Sequence, residues 1–335
     1  MHVLQLVTNE QAPFFQQQIR SLENIGITSD VRSPTGSHSE TESRSLAAYA
    51  RLLSRTVREA DDSYDLVHAN YGLTAPAALS QRSIPTVLSL WGSDLLGSMG
   101  PLSRYCAKKV DEVIVMTPMM ADSLTVPSHI IPHGVDMEVF RPIPQQKAQS
   151  KVNWEPNTRH VLFPYSPSRT IKDFPKAAQV VAGVRKQIES PVQLQTLSNV
   201  PHERMPYYYN AADVVLVTSK REGSPNAVRE ALACNRPVVA TDVGDIALHL
   251  EPVAASRVCT SFSELVEGVV SVIDDSKGAT PNRNGMSSNE CAVVTGREQA
   301  NHNSAQAMAQ RIKTVYERAV PGTDVHNHPL PINSR

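Results

Sequence analysis

The chain has 335 residues, 41% of them hydrophobic and 19% charged, with a formal net charge of −1. That size suggests about two domains, and the balance excludes a collagen-like, wholly disordered or coiled-coil protein. Near-neutral charge also excludes a chain built mainly for nucleic acid, which needs a basic excess to neutralise phosphates.

Short β-branched runs alternate with helix-length segments along the chain. The first strand is read at Val3–Val7, followed by a helix over 14–24 with apolar residues at helical spacing. A helix over 43–59 follows, then strands at Leu66–His68, Thr86–Leu90, Val113–Met116 and His129–Ile131. Strand and helix in alternation is the signature of a parallel, doubly wound sheet.

After Phe140-Arg141-Pro142 the sequence turns polar and proline-punctuated, and 142–158 reads as an interdomain linker. The alternation then restarts. Strands are expected at His160–Phe163, Val192–Leu197, Val214–Val217, Val238–Thr241 and Arg257–Thr260, with helices over 174–187, 203–211, 225–233 and 262–274. Residues 276–295 read as a polar surface insertion, 297–319 as a last amphipathic helix, and 321–335 as a disordered tail. The expected domains are therefore 1–141 and 159–320, two α/β units in tandem, with a ligand site in the cleft between them.

The four cysteines, Cys106, Cys234, Cys259 and Cys291, are widely spaced and read as reduced packing residues. No apolar run reaches the roughly 18 residues of a membrane span, and the opening HVLQLVTNEQ is too short and polar for a signal peptide, so the cytoplasm is the expected compartment.

The stretch EGSPNAVREALACNRPVVATDVGD, 222–245, is the most informative. Ser224 is placed to N-cap a helix whose first residue is Pro225, leaving the amides of Asn226 and Ala227 unpaired at the positive end of the helix dipole. With Gly223 just before it, that end suits an anion such as a diphosphate. Glu222 in the preceding loop and Glu230 inside the helix can flank one elongated ligand. Spacing alone equally allows a routine Ser-Pro helix start with two solvated carboxylates.

The pattern E-G-x-P-x-x-x-x-E-A-x-A-x-x-x-P-V-V-A-T-x-x-G resembles the signature of family-4 glycosyltransferases, retaining enzymes of the GT-B fold. YDLVHANYGLTAP at 64–76, PTVLSLWGSDLL at 85–96, IIPHGVDMEVFRP at 130–142 and LFPYSPSRTIKDF at 162–174 fall in the family's order. The resemblance implies two Rossmann-like domains facing a central cleft, 1–141 on the acceptor side and 159–320 on the side of the nucleotide sugar. It implies that Arg169 and Lys172 hold the donor diphosphate and that Glu230 binds the ribose. Glu222 and the loop and helix start Gly223, Ser224, Pro225, Asn226 and Ala227 would then contact the donor sugar and phosphates.

Departure of a nucleoside diphosphate develops negative charge. No D-x-D motif follows a strand, since Asp61-Asp62 and Asp274-Asp275 do not read as one, so cationic side chains and helix amides are expected to stabilise that charge without a metal. No cofactor is expected beyond the nucleoside-diphosphate sugar as co-substrate.

The chain departs from the family in two places. TNEQAPFFQQQ stands where members often carry a glycine-rich loop, and Trp91 stands where many carry a histidine near the sugar. Trp91, Gly92, Ser93 and Asp94 are candidates for acceptor or sugar contacts, with packing as the alternative for Trp91. His68 and His133 are further candidates, the alternatives being a core histidine and a turn residue.

The expected activity is transfer of a hexose-type sugar, with retention, to a saccharide or lipid-linked acceptor. The rivals are a sugar-nucleotide epimerase of the same fold and a non-catalytic sugar-nucleotide-binding protein. Residues 1–141 carry 11 basic and 15 acidic side chains, leaving 21 and 18 in the remainder. The acidic first half disfavours a polybasic membrane face, although a local patch or an amphipathic helix survives such averaging and leaves peripheral membrane contact open.

Overall fold

The β-branched runs form eleven strands in the computed structural model, which describes residues 1–34, 45–275 and 294–320. They build two parallel sheets in two separate units, Met1–Gly134 with the helix Ala305–Ala319, and Val135–Ser304.

In the first unit the strands are β1 His2–Val7, β2 Thr28–Arg32, β3 Leu66–Asn70, β4 Thr86–Leu90, β5 Glu112–Val115 and β6 His129–Ile130, in spatial order β2-β1-β3-β4-β5-β6. β3 and β4 are buried along their whole length, as strands covered by helices on both faces must be. Their apolar side chains pack with Leu4, Leu22 and Ile114 into one core. The edge strand β2 escapes the sequence pattern because it is only half-buried and reads TSDVR.

In the second unit the strands are β7 Arg159–Phe163, β8 Val192–Thr196, β9 Val214–Val217, β10 Val238–Thr241 and β11 Arg257–Cys259, in order β11-β10-β9-β7-β8. In each sheet the chain steps outward on one side and then resumes on the other. The reversal falls between β1 and β3 in the first sheet and between β7 and β9 in the second. Open α/β sheets bind ligands at the carboxyl ends of strands flanking such a reversal.

Two expectations change. The segment 142–158 contains a helix, Gln145–Val152, which belongs to the second unit. Gln145 and Gln149 donate to the Ala211 carbonyl at 3.3 and 3.4 Å, and the Ile143 amide donates to Asn210 Oδ1 at 2.8 Å. Polar residues that suggested a linker are thus used against a neighbouring helix end.

The single helix expected over 297–319 is two, Gly296–Asn301 and Ala305–Ala319. The second packs Met308, Ile312, Val315 and Tyr316 into the core of the first unit, not the second. Most of the 276–295 stretch, with Cys291, and the 321–335 tail lie outside the described residues.

Candidate functional site

In the second unit the loops after β7 and β9 meet at the reversal point. The first carries Tyr165, Arg169 and Lys172; the second carries Ser219, Glu222, Gly223 and Ser224. Lys172 Nζ lies 2.5 Å from Glu222 Oε1, and both side chains are almost wholly buried. Ser219 Oγ donates to the same carboxylate oxygen at 2.5 Å. Lys172 Nζ sits 4.2 Å from the centroid of the Tyr165 ring, and the exposed Arg169 guanidinium 5.8 Å from it. Burial lowers the Lys172 ammonium below its ordinary pKa, and Glu222 opposes that shift. One aromatic ring therefore brings together two cations that are three residues apart in sequence.

The helix that follows, Asn226–Ala233, has Pro225 as its N-cap and no side-chain cap. Ser224 is thus not the capping residue. Its hydroxyl instead donates to Asp245 Oδ2 at 2.5 Å and accepts from the Arg229 guanidinium. Arg229 also donates to the Ser224 carbonyl at 3.2 Å and to Asn226 Oδ1 at 2.6 Å. It is 1% exposed, and burial lowers its pKa from the ordinary value. Asp245 Oδ2 also lies 3.1 Å from His249 Nε2.

The loop is therefore shaped from below by a buried arginine. The glycine its path needs is Gly244, whose φ is +65° and whose added Cβ would lie 2.4 Å from the Gly223 carbonyl oxygen. A Cβ on Gly223 itself would meet nothing within 4 Å.

Glu230 lies farther along the helix. Tyr209 donates to its Oε2 at 2.8 Å and His202 Nε2 lies 3.3 Å from its Oε1. Burial and Glu230 hold the Tyr209 phenol well above its usual range. Burial, with Glu222 and Glu230 nearby, does the same to Tyr165.

In the first unit, Phe14, Tyr71, Trp91 and His133 assemble from four chain segments. Trp91 meets Phe14 edge-on at 4.9 Å between centroids, His133 at 5.4 Å and Tyr71 at 5.8 Å. Asp94 is fully buried beneath them and takes backbone N–H bonds from Trp91 and Gly92 at 2.9 Å and from Gly72 at 2.8 Å. It positions the Trp91 loop and offers no exposed surface to a ligand.

Gly92 has φ +121° and is followed by the exposed Ser93, whose Oγ lies 2.9 Å from the Tyr71 hydroxyl. Tyr71 holds φ +105°, a conformation that costs about 1–3 kcal/mol outside glycine and gathers at functional sites.

His68 stands apart. It is fully buried, with Nδ1 2.7 Å from the Tyr316 hydroxyl and Nε2 2.7 Å from Ser89 Oγ, and burial lowers its pKa to about 3. Gln5 and Asn70 extend this network, so His68 is a core polar group and not a ligand contact.

Sequence reasoning missed Tyr165, His202, Tyr209, Arg229 and His249 on one side, and Phe14 and Tyr71 on the other. The one available signal was Arg229, a charge between Val228 and the apolar Ala231-Leu232 on a helix that must pack. Among the described residues no group of three His, Cys, Asp or Glu side chains is placed to hold a metal ion.

Comparison with known proteins matches residues 2–139 to the family described as Glycosyltransferase Family 4 and 170–275 to the one described as Glycosyl transferases group 1. TuaC of Bacillus subtilis, a glycosyltransferase named for teichuronic acid biosynthesis, is 25% identical over 225 residues, covering 59% of this chain and 58% of that protein. D-inositol 3-phosphate glycosyltransferase of Paenarthrobacter aurescens is 24% identical over 241 residues, covering 55% and 57%. The chain thus matches little more than half the length of these relatives.

Among solved structures, sucrose-phosphate synthase of Thermosynechococcus elongatus superposes with a TM-score of 0.71 at 16% identity, covering 95% of this chain and 98% of that one. HepE of Anabaena, solved with UDP and glucose, gives 0.66 at 16% identity, covering 93% and 98%. Identity that low establishes a shared fold.

Proposed function

Because the chain belongs to the group 1, family-4 glycosyltransferases with the GT-B fold, we propose that it transfers a hexose-type sugar from a nucleoside diphosphate to a saccharide or lipid-linked acceptor. The observation that carries this reading is the Lys172–Glu222 pair at the β7/β9 reversal, beside an uncapped helix start and the exposed Arg169. A diphosphate leaving group builds negative charge as the glycosidic bond breaks. Arg169, Lys172 and the first-turn amides supply fixed positive potential for that charge, which supports a metal-independent step.

Glu222 neutralises Lys172 across their 2.5 Å contact. An arriving diphosphate competes for the ammonium and frees the carboxylate to accept from sugar hydroxyls. Glu230, oriented by Tyr209 and His202, is a ready acceptor for ribose hydroxyls. Retention of configuration is carried over from the family resemblance. On the acceptor side, the half-buried Trp91 and Tyr71 are the aromatic candidates for a sugar contact, with the exposed Ser93 as a polar one.

A thermal-shift panel of UDP-, GDP- and ADP-sugars tests the reading. One donor class should raise the melting temperature, since a ligand at a hundred times its Kd adds about 2.7 kcal/mol to folded-state stability. Release of the nucleoside diphosphate should then accelerate with acceptor. No response to any donor would remove the donor assignment.

A further inference from the structure

The helix Asn226–Ala233 carries Glu230 about one turn before its end, roughly 4.5 Å along the axis from Ala233. The last carbonyls of a helix have no partner within it, and what takes them fixes where that end sits. Here the Ala233 carbonyl accepts from Arg297 Nη1 at 2.8 Å. The same nitrogen donates to the Phe140 carbonyl at 2.8 Å, and Nη2 donates to the Met137 carbonyl at 2.7 Å. One half-buried guanidinium thus ties the helix end to the segment that opens the second unit.

Its reach depends on a close approach. Arg297 belongs to the short helix Gly296–Asn301, which a Thr295–Glu298 capping box starts. A Cβ on Gly296 would lie 3.1 Å from the Leu232 carbonyl oxygen and 3.2 Å from Leu232 Cδ2, closer than side chains ordinarily pack. Glycine there lets the two helices meet.

The segment held at Met137 and Phe140 leads back to the same carboxylate. Phe140 is 1% exposed, and its ring meets His202 at 5.2 Å and Tyr209 at 6.1 Å between centroids. These are the two side chains that reach Glu230. Upstream, the Val135 amide donates to the Asn303 carbonyl at 2.9 Å, so the 135–140 stretch is held to the Arg297 segment at both ends.

A tie that only closed a helix end would fix the backbone of Glu230 and nothing more. This one fixes that backbone and, through Phe140, both side-chain partners of the carboxylate. We propose that Arg297 is a positioning residue for Glu230, holding the carboxylate, Tyr209 and His202 in the register that accepts the ribose of a nucleoside diphosphate. The ribose as ligand rests on the reading above; the placement of Glu230 by Arg297 does not.

The full chain with labelled histidine, titrated by NMR, reads that placement without a ligand. The Glu230 hydrogen bond, with smaller contributions from Glu203 and Asp136, raises the His202 pKa above its ordinary value against the opposing effect of burial. The His202 signal, identified by its loss in His202→Gln, should move back toward 6.5 in Arg297→Gln and in Phe140→Leu, while the histidines of the first unit keep theirs. Removal of a cation alone acts in the opposite sense. Phe140→Leu retains Arg297 and an apolar core side chain, so it reads the route through the ring even where Arg297→Gln folds poorly.

Calorimetry gives the ligand arm. Inorganic pyrophosphate can meet Arg169 and Lys172 but has no ribose, so Arg297→Gln should bind it as the parent does. The same variant should bind UDP, GDP or ADP, whichever the parent takes, about tenfold more weakly, the loss of one hydrogen bond to a charged group. Arg297→Lys keeps the charge but reaches fewer carbonyls, and should recover part of that affinity.

An unmoved His202 signal in both variants, or equal weakening of pyrophosphate and nucleoside diphosphate, would overturn the proposal. If no nucleoside diphosphate binds the parent, the donor reading fails, and the histidine titration alone still decides whether Arg297 places Glu230.

Discussion

The two units bury polar side chains in opposite ways. In the first, Gln5, His68, Asn70, Ser89 and Tyr316 form a neutral network in which both His68 ring nitrogens are partnered, and the strand ends above it carry aromatic rings. In the second, oppositely charged side chains are buried together, Lys172 on Glu222 and Arg229 near Asp245, whereas the buried carboxylate of the first unit, Asp94, is held by backbone amides. A satisfied neutral network specifies packing and has no capacity left for a ligand. A buried charge pair is held together only while nothing better arrives, so an anion that replaces one partner finds a site already built.

The largest effect expected from that difference is at Lys172. Lys172→Ala leaves the Glu222 carboxylate buried without its cation, and breaking a pair of this kind costs about 3–5 kcal/mol. Urea unfolding should show that loss for the single variant and recover much of it in Lys172→Ala/Glu222→Ala, while neither responds to a donor sugar. A double variant no more stable than the single one would show that the pair is not the unit that balances the site.

His68 gives the next effect, in the other unit. Burial lowers its pKa to about 3 from an ordinary 6.5, so between those values the unfolded chain binds a proton that the folded one does not. Stability is therefore lost as pH falls below 6.5, by about 2 kcal/mol at pH 5. Trp154→Phe leaves Trp91 as the fluorescent reporter of the first unit, and its transition should weaken on acidification. His68→Gln should flatten that dependence; an unchanged slope would remove His68 as the buried proton acceptor.

The strands were legible where β-branched runs are buried on both faces, and Thr86–Leu90, Val214–Val217 and Val238–Thr241 agree with the expected bounds. β2 was not legible, because a half-buried edge strand has no reason to be apolar. The partner of the last helix was equally hidden. Met308, Ile312 and Tyr316 give its amphipathic period but say nothing of which core receives it.

At the candidate site, Glu222 and Glu230 could be named from the pattern at 222–245, and Lys172 only from the family resemblance. The groups that orient them could not. Tyr165, Tyr209 and Arg229 act through contacts set by chain crossing, and Ser224 caps no helix because Arg229 and Asp245 claim its hydroxyl.

The smallest effect, and the one that sets the units most directly against each other, belongs to His202. The hydrogen bond to Glu230 raises its pKa above 6.5, against a smaller opposing effect of burial. A raised folded-state pKa gives stability that is fully present below 6.5 and is lost as pH climbs through the folded value, the reverse of His68. The His202 side chain is 36% exposed, so solvent screening keeps this below about 1 kcal/mol. Trp91→Phe leaves Trp154 to report the second unit, whose midpoint should fall slightly between pH 6 and 8 while that of the first unit rises or holds. His202→Gln should remove the slope, and Glu230→Gln should remove it too because the raised pKa depends on that carboxylate. If both units shift in the same direction, the imidazole on Glu230 is neutral across this range and Glu230 is oriented by Tyr209 alone.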